Sequence, residues 1–209
     1  MFMPVLIAAL TAYLLGNLNG AVCVSALIAH DDVRSHGSGN AGLTNFIRNY
    51  GTASAALVIA IDAGKAAVAC WSCGMMLQPY GYGFEGMVLG GACVMLGHVF
   101  PALLGFKGGK GILSGCVVAF IVDWRIGVII LAVFAVLYFL TKYVSLASVV
   151  AALTFGICFV VFHHDWLPVM LGGIFMSALT IFMHRSNIVR LIKGQESKTD
   201  LFKKKGMQA

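Results

Sequence analysis

The sequence predicts an all-α integral membrane protein with seven transmembrane helices, the N-terminus outside and the C-terminus cytoplasmic. Three observations predict it. Hydrophobic residues make up 60% of the chain and charged residues only 11%, with a mean hydropathy of +0.92, against roughly 45–50% and about 25% in an ordinary soluble domain. The apolar residues fall in runs close to the roughly 20 needed to cross about 30 Å of hydrocarbon. Nearly all basic residues lie in alternate connections between those runs. The connections are short, so residues 1–209 are read as a single domain.

The first run, Met3–Ala29, contains no charge. No basic segment precedes it, and it is too long for a cleaved leader, so it is read as a retained helix. A polar segment from His30 to about Ala53 follows. The second run, about Ser54–Leu77, carries Asp62 and Lys65. A turn-rich stretch with Pro79, Gly81 and Gly83 leads to the third, about Glu85–Leu104. The apolar stretch Ile112–Leu140 is interrupted only by Asp123, Trp124 and Arg125, and is split there into helices four and five. Both are short, so little tilt or a locally thin bilayer is expected. Helix six spans about Tyr143–Phe162, and helix seven about Trp166–Met183 after the break at His163, His164 and Asp165.

Charge placement sets the predicted orientation. One set of connections holds Arg34, Arg48, Lys107, Lys110 and Lys142, together with Arg185, Arg190, Lys193, Lys198, Lys203, Lys204 and Lys205 of the tail. The other set holds only Arg125, and Lys65 lies within a helix. The rich side is expected to be cytoplasmic. The basic tail reads as a solvated segment near anionic lipid headgroups rather than a nucleic-acid site, because no aromatic-interleaved basic fold accompanies it. The six cysteines all sit in apolar runs. Cys70 and Cys73 have C-x-x-C spacing but no second pair or nearby histidine, so small buried side chains are the expectation, not a metal or redox centre.

The residues able to do chemistry cluster on the predicted cytoplasmic face. The first loop contains Gly37, Ser38, Gly39, Asn40, Gly42, Thr44, Asn45 and Arg48. Its glycines allow backbone N–H groups close to a ligand, its hydroxyls and amides are neutral donors, and Arg48 offers a planar fork to phosphate oxygens. This mixture is expected to form an anion nest. The second loop, Phe106 to Gly111, places Lys107, Gly108, Gly109, Lys110 and Gly111 before a helix. Exposed N–H groups and the helix dipole there favour an anion. The spacing is not that of a nucleotide P-loop, so a phosphate or acyl phosphate is expected rather than ATP with Mg²⁺. The third cluster, His184 to Arg190 with Gly194 and Glu196, supplies a histidine able to act as base, acid or phosphate donor. Asn187 would share its face if the helix continued. His98 either lines the site or caps the Gly-rich loop. Asp62 and Lys65 are spaced to pair and to buttress the site.

Together these segments resemble the bacterial acyl-phosphate:glycerol-3-phosphate acyltransferases, the PlsY family. The family's G-S-G-N-P-G-A-T-N-x-x-R appears as GSGNAGLTNFIR from Gly37 to Arg48. Its G-H-x-F-P and F-K-G-G-K-G appear at Gly97–Pro101 and Phe106–Gly111. Its H-R-x-N-I-x-R-L-x-x-G-x-E appears at His184–Glu196, and Y-V-S-L at Tyr143–Leu146. The resemblance covers essentially the whole chain. It implies transfer of a fatty acyl group from acyl phosphate to the 1-hydroxyl of glycerol 3-phosphate, giving lysophosphatidic acid and phosphate, in the plasma (inner) membrane. No acyl-CoA, acyl carrier protein, metal or other cofactor is implied. The family's functional positions fall on Ser38, Arg48, Lys107, Ser145, His184 and Asn187, with Glu196 as an anchor. Ala41 stands where proline is usual, Leu43 where alanine is usual, and Ala66 where glycine is usual; loss of the proline is expected to loosen the loop. A transporter for a phosphorylated small molecule would also use glycine-rich anion sites, but near the bilayer midplane. A non-catalytic lipid-binding protein would not need three polar motifs on one face.

Overall fold

The computed structural model describes residues 1–199 of the 209. The run Lys203–Lys205 lies outside the described residues. Ten α-helices form within that range: α1 Phe2–Asn17, α2 Gly20–Ala29, α3 Leu43–Tyr50, α4 Ala55–Leu77, α5 Gly83–Val99, α6 Ile112–Val122, α7 Trp124–Thr141, α8 Val144–His163, α9 Leu167–Met183 and α10 Arg185–Ile192. No strand occurs among the described residues. α1, α4 and α5 pack together, α8 packs between α7 and α9, and α6 joins the two groups, touching α4, α5 and α7. The largest apolar core fills that junction, with Met95, Val118, Ile126, Phe155, Phe159 and Met176. Small residues let α1 and α5 approach backbone to backbone. A Cβ on Gly97 would fall 2.1 Å from the Tyr13 carbonyl oxygen, and one on Gly16 would fall 2.4 Å from that of Val94.

Each of the seven predicted runs is helical, but three details differ. Five segments are long and apolar enough to cross a membrane, and six if the bent pair α9–α10 is one span. The expected fourth helix, α6, has only 11 residues, roughly 16 Å at 1.5 Å per residue, short of the hydrocarbon thickness. The third run stops as a helix at Val99, because Pro101 follows and a 3₁₀ turn takes over at Ala102–Leu104.

The third difference is in the first run, which is broken at Leu18–Asn19 rather than continuous. Several of the backbone groups freed at the break find partners. The Asn19 side chain caps α2 by accepting from Val22 N–H at 3.0 Å. Asp62 accepts the Gly20 N–H at 3.0 Å. Lys65 donates to the carbonyls of Leu18 at 2.5 Å and Gly16 at 3.3 Å. Asp62 and Lys65, both buried, pair at 2.7 Å. A carboxylate therefore sits at the positive end of one half-helix and an ammonium at the negative end of the other, the arrangement the helix dipoles favour.

The two ends of the bundle carry separate polar clusters. At one end Asp123 pairs with Arg125 at 2.6 Å and His163 at 3.4 Å, and Trp166 donates to Glu85 at 2.9 Å. The three polar motifs lie together at the other end. Arg34 reaches the Leu104–Lys107 turn, Lys110 reaches Asn187, and Arg48 reaches Thr199. Cys70 and Cys73 are buried free thiols, the latter donating to the Ala8 carbonyl at 3.2 Å.

Candidate active site

A cavity of about 360 Å³ opens where the three motifs meet. Its polar wall includes Ser38, Asn40, Thr44, Asn45 and Arg48 from the first loop, Lys110 and Gly111 from the second, and His184, Asn187, Arg190 and Glu196 from the third. Its apolar wall includes Ile112, Leu113, Ile130, Phe134, Phe155 and Met176. From Ser145 to Phe155 the lining residues of α8 descend ten positions, roughly 15 Å of helix. The cavity thus joins a charged mouth to an apolar channel between α6, α7, α8 and α9.

The first loop is not the nest of free amides expected from its glycines. Three of the N–H groups between Gly37 and Gly42 are already taken by protein partners. Asn45 takes the Ser38 N–H at 3.0 Å, the His36 carbonyl takes that of Gly39 at 3.0 Å, and the Gly108 carbonyl takes that of Ala41 at 3.3 Å. Gly37 and Gly39 hold left-handed φ values of 57° and 69° that make this fold-back possible. Asn45 is the knot. Its amide donates to the carbonyls of Val33 and His36, each at 3.0 Å, while its oxygen receives Ser38 N–H and, at 3.2 Å, the Asn49 amide. With both amide hydrogens so engaged, Asn45 organises the loop rather than donating to a ligand, although it lines the cavity.

A short helix supplies what the nest would have. α3 begins at Leu43, and its N-terminus carries no side-chain cap. Gly42, Leu43 and Thr44 line the cavity, so the first turn of α3, whose N–H groups have no intrahelical partner, borders the space. α6 does the same from the other side: its N-cap, Gly111, has no side-chain cap, and Gly111, Ile112 and Leu113 line the cavity. Two helix N-termini converging on one cavity form a strongly anion-attracting wall.

The second loop divides its residues. Lys110 is part-buried, on the cavity wall, and donates to the Asn187 side chain. Burial pushes its ammonium down to about 8, with Arg190 and Arg48 acting in the same sense and Glu196 opposing them. Lys107 is exposed and its side chain does not reach the cavity wall. Gly108 and Gly109 lie behind the wall as packing points. A Cβ on Gly108 would meet the His98 carbonyl oxygen at 2.0 Å, and one on Gly109 would meet His98 Nε2 at 2.1 Å. His98 fills both roles left open for it. It lines the cavity, its carbonyl accepts the Gly109 N–H at 3.0 Å, and its Nδ1 lies 2.8 Å from Lys65 Nζ.

The third motif is bent rather than continuous: α9 and α10 meet at 56° beside His184. His184 and Asn187 nevertheless both line the cavity. The Nδ1 of His184 lies 2.8 Å from the Thr180 carbonyl oxygen, which only accepts. Nδ1 therefore carries a proton, and Nε2 of the neutral ring is the nitrogen able to accept one. Asn187 donates to Glu196 at 2.8 Å, and Arg190 donates to the other Glu196 oxygen at 2.7 Å. Burial pushes the Glu196 carboxyl up, but these bonds outweigh it and hold the group below its usual range. The buried Ser145 hydroxyl makes no well-formed hydrogen bond among the described residues, although it lies near enough to Glu196 to help keep it ionised. Beyond Glu196, Thr199 receives Arg48 on its hydroxyl and donates its N–H to the Lys142 carbonyl at 3.0 Å.

Sequence reasoning missed a polar stripe inside the apolar helices. Ser148 on α8 and Ser177 and Thr180 on α9 are buried and line the cavity. The signal was their spacing: 145 and 148 on one helix, and 177, 180 and 184 on the other, are the three- and four-residue steps of one helical face. Arg190, counted in the third cluster but given no role there, also lines the cavity.

Comparisons with known proteins agree with this geometry. The family described as "Glycerol-3-phosphate acyltransferase" matches residues 6–194. A glycerol-3-phosphate acyltransferase of Thermoanaerobacter sp. (strain X514) is 37% identical over 196 residues, covering 94% of this chain and 96% of that one. One from Burkholderia pseudomallei (strain 1710b) is 38% identical, covering 98% of this chain and all of its own. The crystal structure of PlsY (YgiH), an integral membrane glycerol 3-phosphate acyltransferase, in its glycerol 3-phosphate form, superposes with a TM-score of 0.84 at 30% identity. It covers 95% of this chain and 99% of that one. The lysophosphatidic acid form gives 0.79 at 29% identity over 94% and 96%. With matched motifs, a matched bundle and one cavity shared by all three polar segments, the chain belongs to the glycerol-3-phosphate acyltransferase family.

Proposed function

We propose that this protein transfers a fatty acyl group from acyl phosphate to the 1-hydroxyl of glycerol 3-phosphate, giving lysophosphatidic acid and inorganic phosphate. This would be the first acylation step of bacterial phospholipid synthesis. The observation that carries the proposal is the cavity's two-part wall. Two uncapped helix N-termini with Lys110 and Arg48 suit two phosphate groups, and the apolar channel between α6 and α9 suits a fatty chain. The two solved relatives are a glycerol 3-phosphate form and a lysophosphatidic acid form, named for the acceptor and the product of this reaction.

The donor is a mixed anhydride, already activated, so the protein's task is to hold two anions together and stabilise charge. Fixed N–H dipoles and cations do this without reorganising as the reaction proceeds. Orientation of the acceptor hydroxyl against the carbonyl adds several kcal/mol. The hydroxyl oxygen bonds to the acyl carbon, the carbon–oxygen bond to phosphate breaks, and phosphate leaves. The hydroxyl proton passes to His184 Nε2 or to the departing phosphate. In this reading Ser38, Arg48, His184 and Asn187 touch the reacting groups, and Asn40, Lys110, Gly111 and Ser145 bind substrate. Lys107 contributes only to the field at the mouth. The site faces the cytoplasm of a plasma (inner) membrane, a reading supported by the basic residues gathered at the site's end of the bundle.

The test uses purified protein in detergent with acyl phosphate and glycerol 3-phosphate. Phosphate release that requires both substrates, with lysophosphatidic acid formed in equal amount, supports the proposal. Uptake of phosphorylated solute by proteoliposomes without acyl transfer would overturn it in favour of a transporter.

A further inference from the structure

The turn that leads into the Gly-rich loop contains two consecutive left-handed residues. Gly105 has φ 66°, which glycine adopts freely, and Phe106 has φ 61°, which a bulky side chain resists. Phe106 as a residue is 62% exposed, so packing of its side chain is not what holds the backbone there. Such a conformation persists only when surrounding bonds over-determine it.

One side chain straddles it. Arg34 Nη1 donates to the Leu104 carbonyl at 2.7 Å and to the Lys107 carbonyl at 3.3 Å, on either side of the kink. The rest of the guanidinium is fixed from behind: Asp32 receives Nε on both oxygens at 3.0 Å and Nη2 at 2.7 Å. Asp32 also takes the Arg34 N–H at 2.9 Å, so the pair is rooted in its own short turn. Three residues beyond Lys107, Lys110 reaches Asn187, and Gly111 opens α6 toward the cavity. We infer that Arg34 is a positioning residue: buttressed by Asp32, it pins the Gly105–Phe106 kink and so aims Lys110 and the α6 N-terminus at the substrate phosphates. Arg34 does not itself line the cavity. Lysine could not replace it, since one ammonium cannot hold Asp32 side-on and bridge two carbonyls together.

The inference rests on the acyltransferase reading for its kinetic consequence but not for its structural one, and the experiment separates them. Purified R34K, R34Q, F106G and R34Q/F106G are compared with the unaltered chain by phosphate release, varying each substrate in turn. R34Q is expected to raise KM for at least one phosphate-bearing substrate roughly tenfold, with kcat within about twofold and R34K between. Glycine at 106 removes the need for the pin, so R34Q/F106G is expected to return KM to within about threefold of F106G. Unchanged KM values in folded R34Q, or no recovery in the double variant, overturn the inference. Amide hydrogen exchange is read on the same proteins. R34Q, or R34K if R34Q does not fold, is expected to lose protection at Phe106 and Gly109, whose N–H groups bond to Pro101 and His98. Unchanged protection there overturns the inference whatever the activity. If the unaltered chain releases no phosphate while exchange follows the expected pattern, the acyltransferase reading fails and the pin stands.

Discussion

Asp62 and Lys65, 2.7 Å apart inside α4, hold the two ends of the broken first span, one by its free N–H and the other by its free carbonyls. The break carries function, because the Asn19 amide that follows it donates to the Ala41 carbonyl at 3.0 Å and so hangs the first motif on the gap. Removing one partner of a buried pair leaves an uncompensated charge and costs about 3–5 kcal/mol, whereas removing both costs less. D62A or K65A alone is therefore expected to lower the thermal midpoint of the detergent-solubilised protein sharply. D62A/K65A should fall well short of the sum of the two. Additive losses would show that the charges act separately.

Ala41 offers a comparison of small terms. Proline in its place, the family's usual residue, loses the N–H bond to Gly108, a net loss of about 0.5–1.5 kcal/mol. It also stiffens the unfolded chain, a gain of about 0.4–1 kcal/mol. The Gly108 carbonyl is not orphaned, since the Asn40 amide also reaches it at 3.4 Å. A41P is expected to leave kcat/KM within about threefold, on the ground that these terms nearly cancel. The expected loosening of the loop is thus offset by a bond that proline could not make. A tenfold loss in A41P would mean that the amide matters more than the stiffness.

Much of this was legible in the chain. The long apolar runs gave their helices to within a few residues, because bilayer-scale hydrophobicity is a strong signal. The three glycine- and charge-bearing motifs proved to share one cavity. What was missed has physical reasons. The break at Leu18–Asn19 sits in a run with no charge, and the groups that answer it, Asp62 at Gly20 and Lys65 at Leu18, lie 42 and 47 residues further along the chain. α3 was read as loop because of the glycines before it, yet Leu43, Phe46, Ile47 and Tyr50 already fall at i, i+3, i+4 and i+7. Neither its uncapped end nor the internal use of the Ser38 and Gly39 amides could be read without the fold-back through Asn45. Nothing in spacing alone separates Lys107, turned outward, from Lys110, turned inward.

His184 is the group best placed to take the acceptor's proton, since Thr180 fixes its tautomer with Nε2 open. H184A is expected to lower kcat by about 10²–10⁴ if the ring is the base, with KM little changed because Lys110, Arg48 and the helix N-termini remain. Full turnover in H184A would exclude the histidine and leave the departing phosphate as the acceptor.

Lys110 predicts the alkaline limb of the pH profile. Burial lowers its pKa from the ordinary 10.5 to about 8, so it is charged below that pH and neutral above it. The second ionisation of a phosphate monoester has its midpoint near pH 6, so well above that midpoint the substrates' charge is nearly constant while Lys110 titrates. Glu196, held low by its partners, stays ionised. Anion binding should therefore weaken as pH rises through about 8. A bound phosphate stabilises the charged ammonium and raises its pKa, so the loss should appear in kcat/KM before it appears in kcat. K110M should bind poorly at every pH and lack the alkaline limb altogether. A K110M profile that still falls above pH 8 would assign the limb to another group and remove Lys110 from the phosphate site.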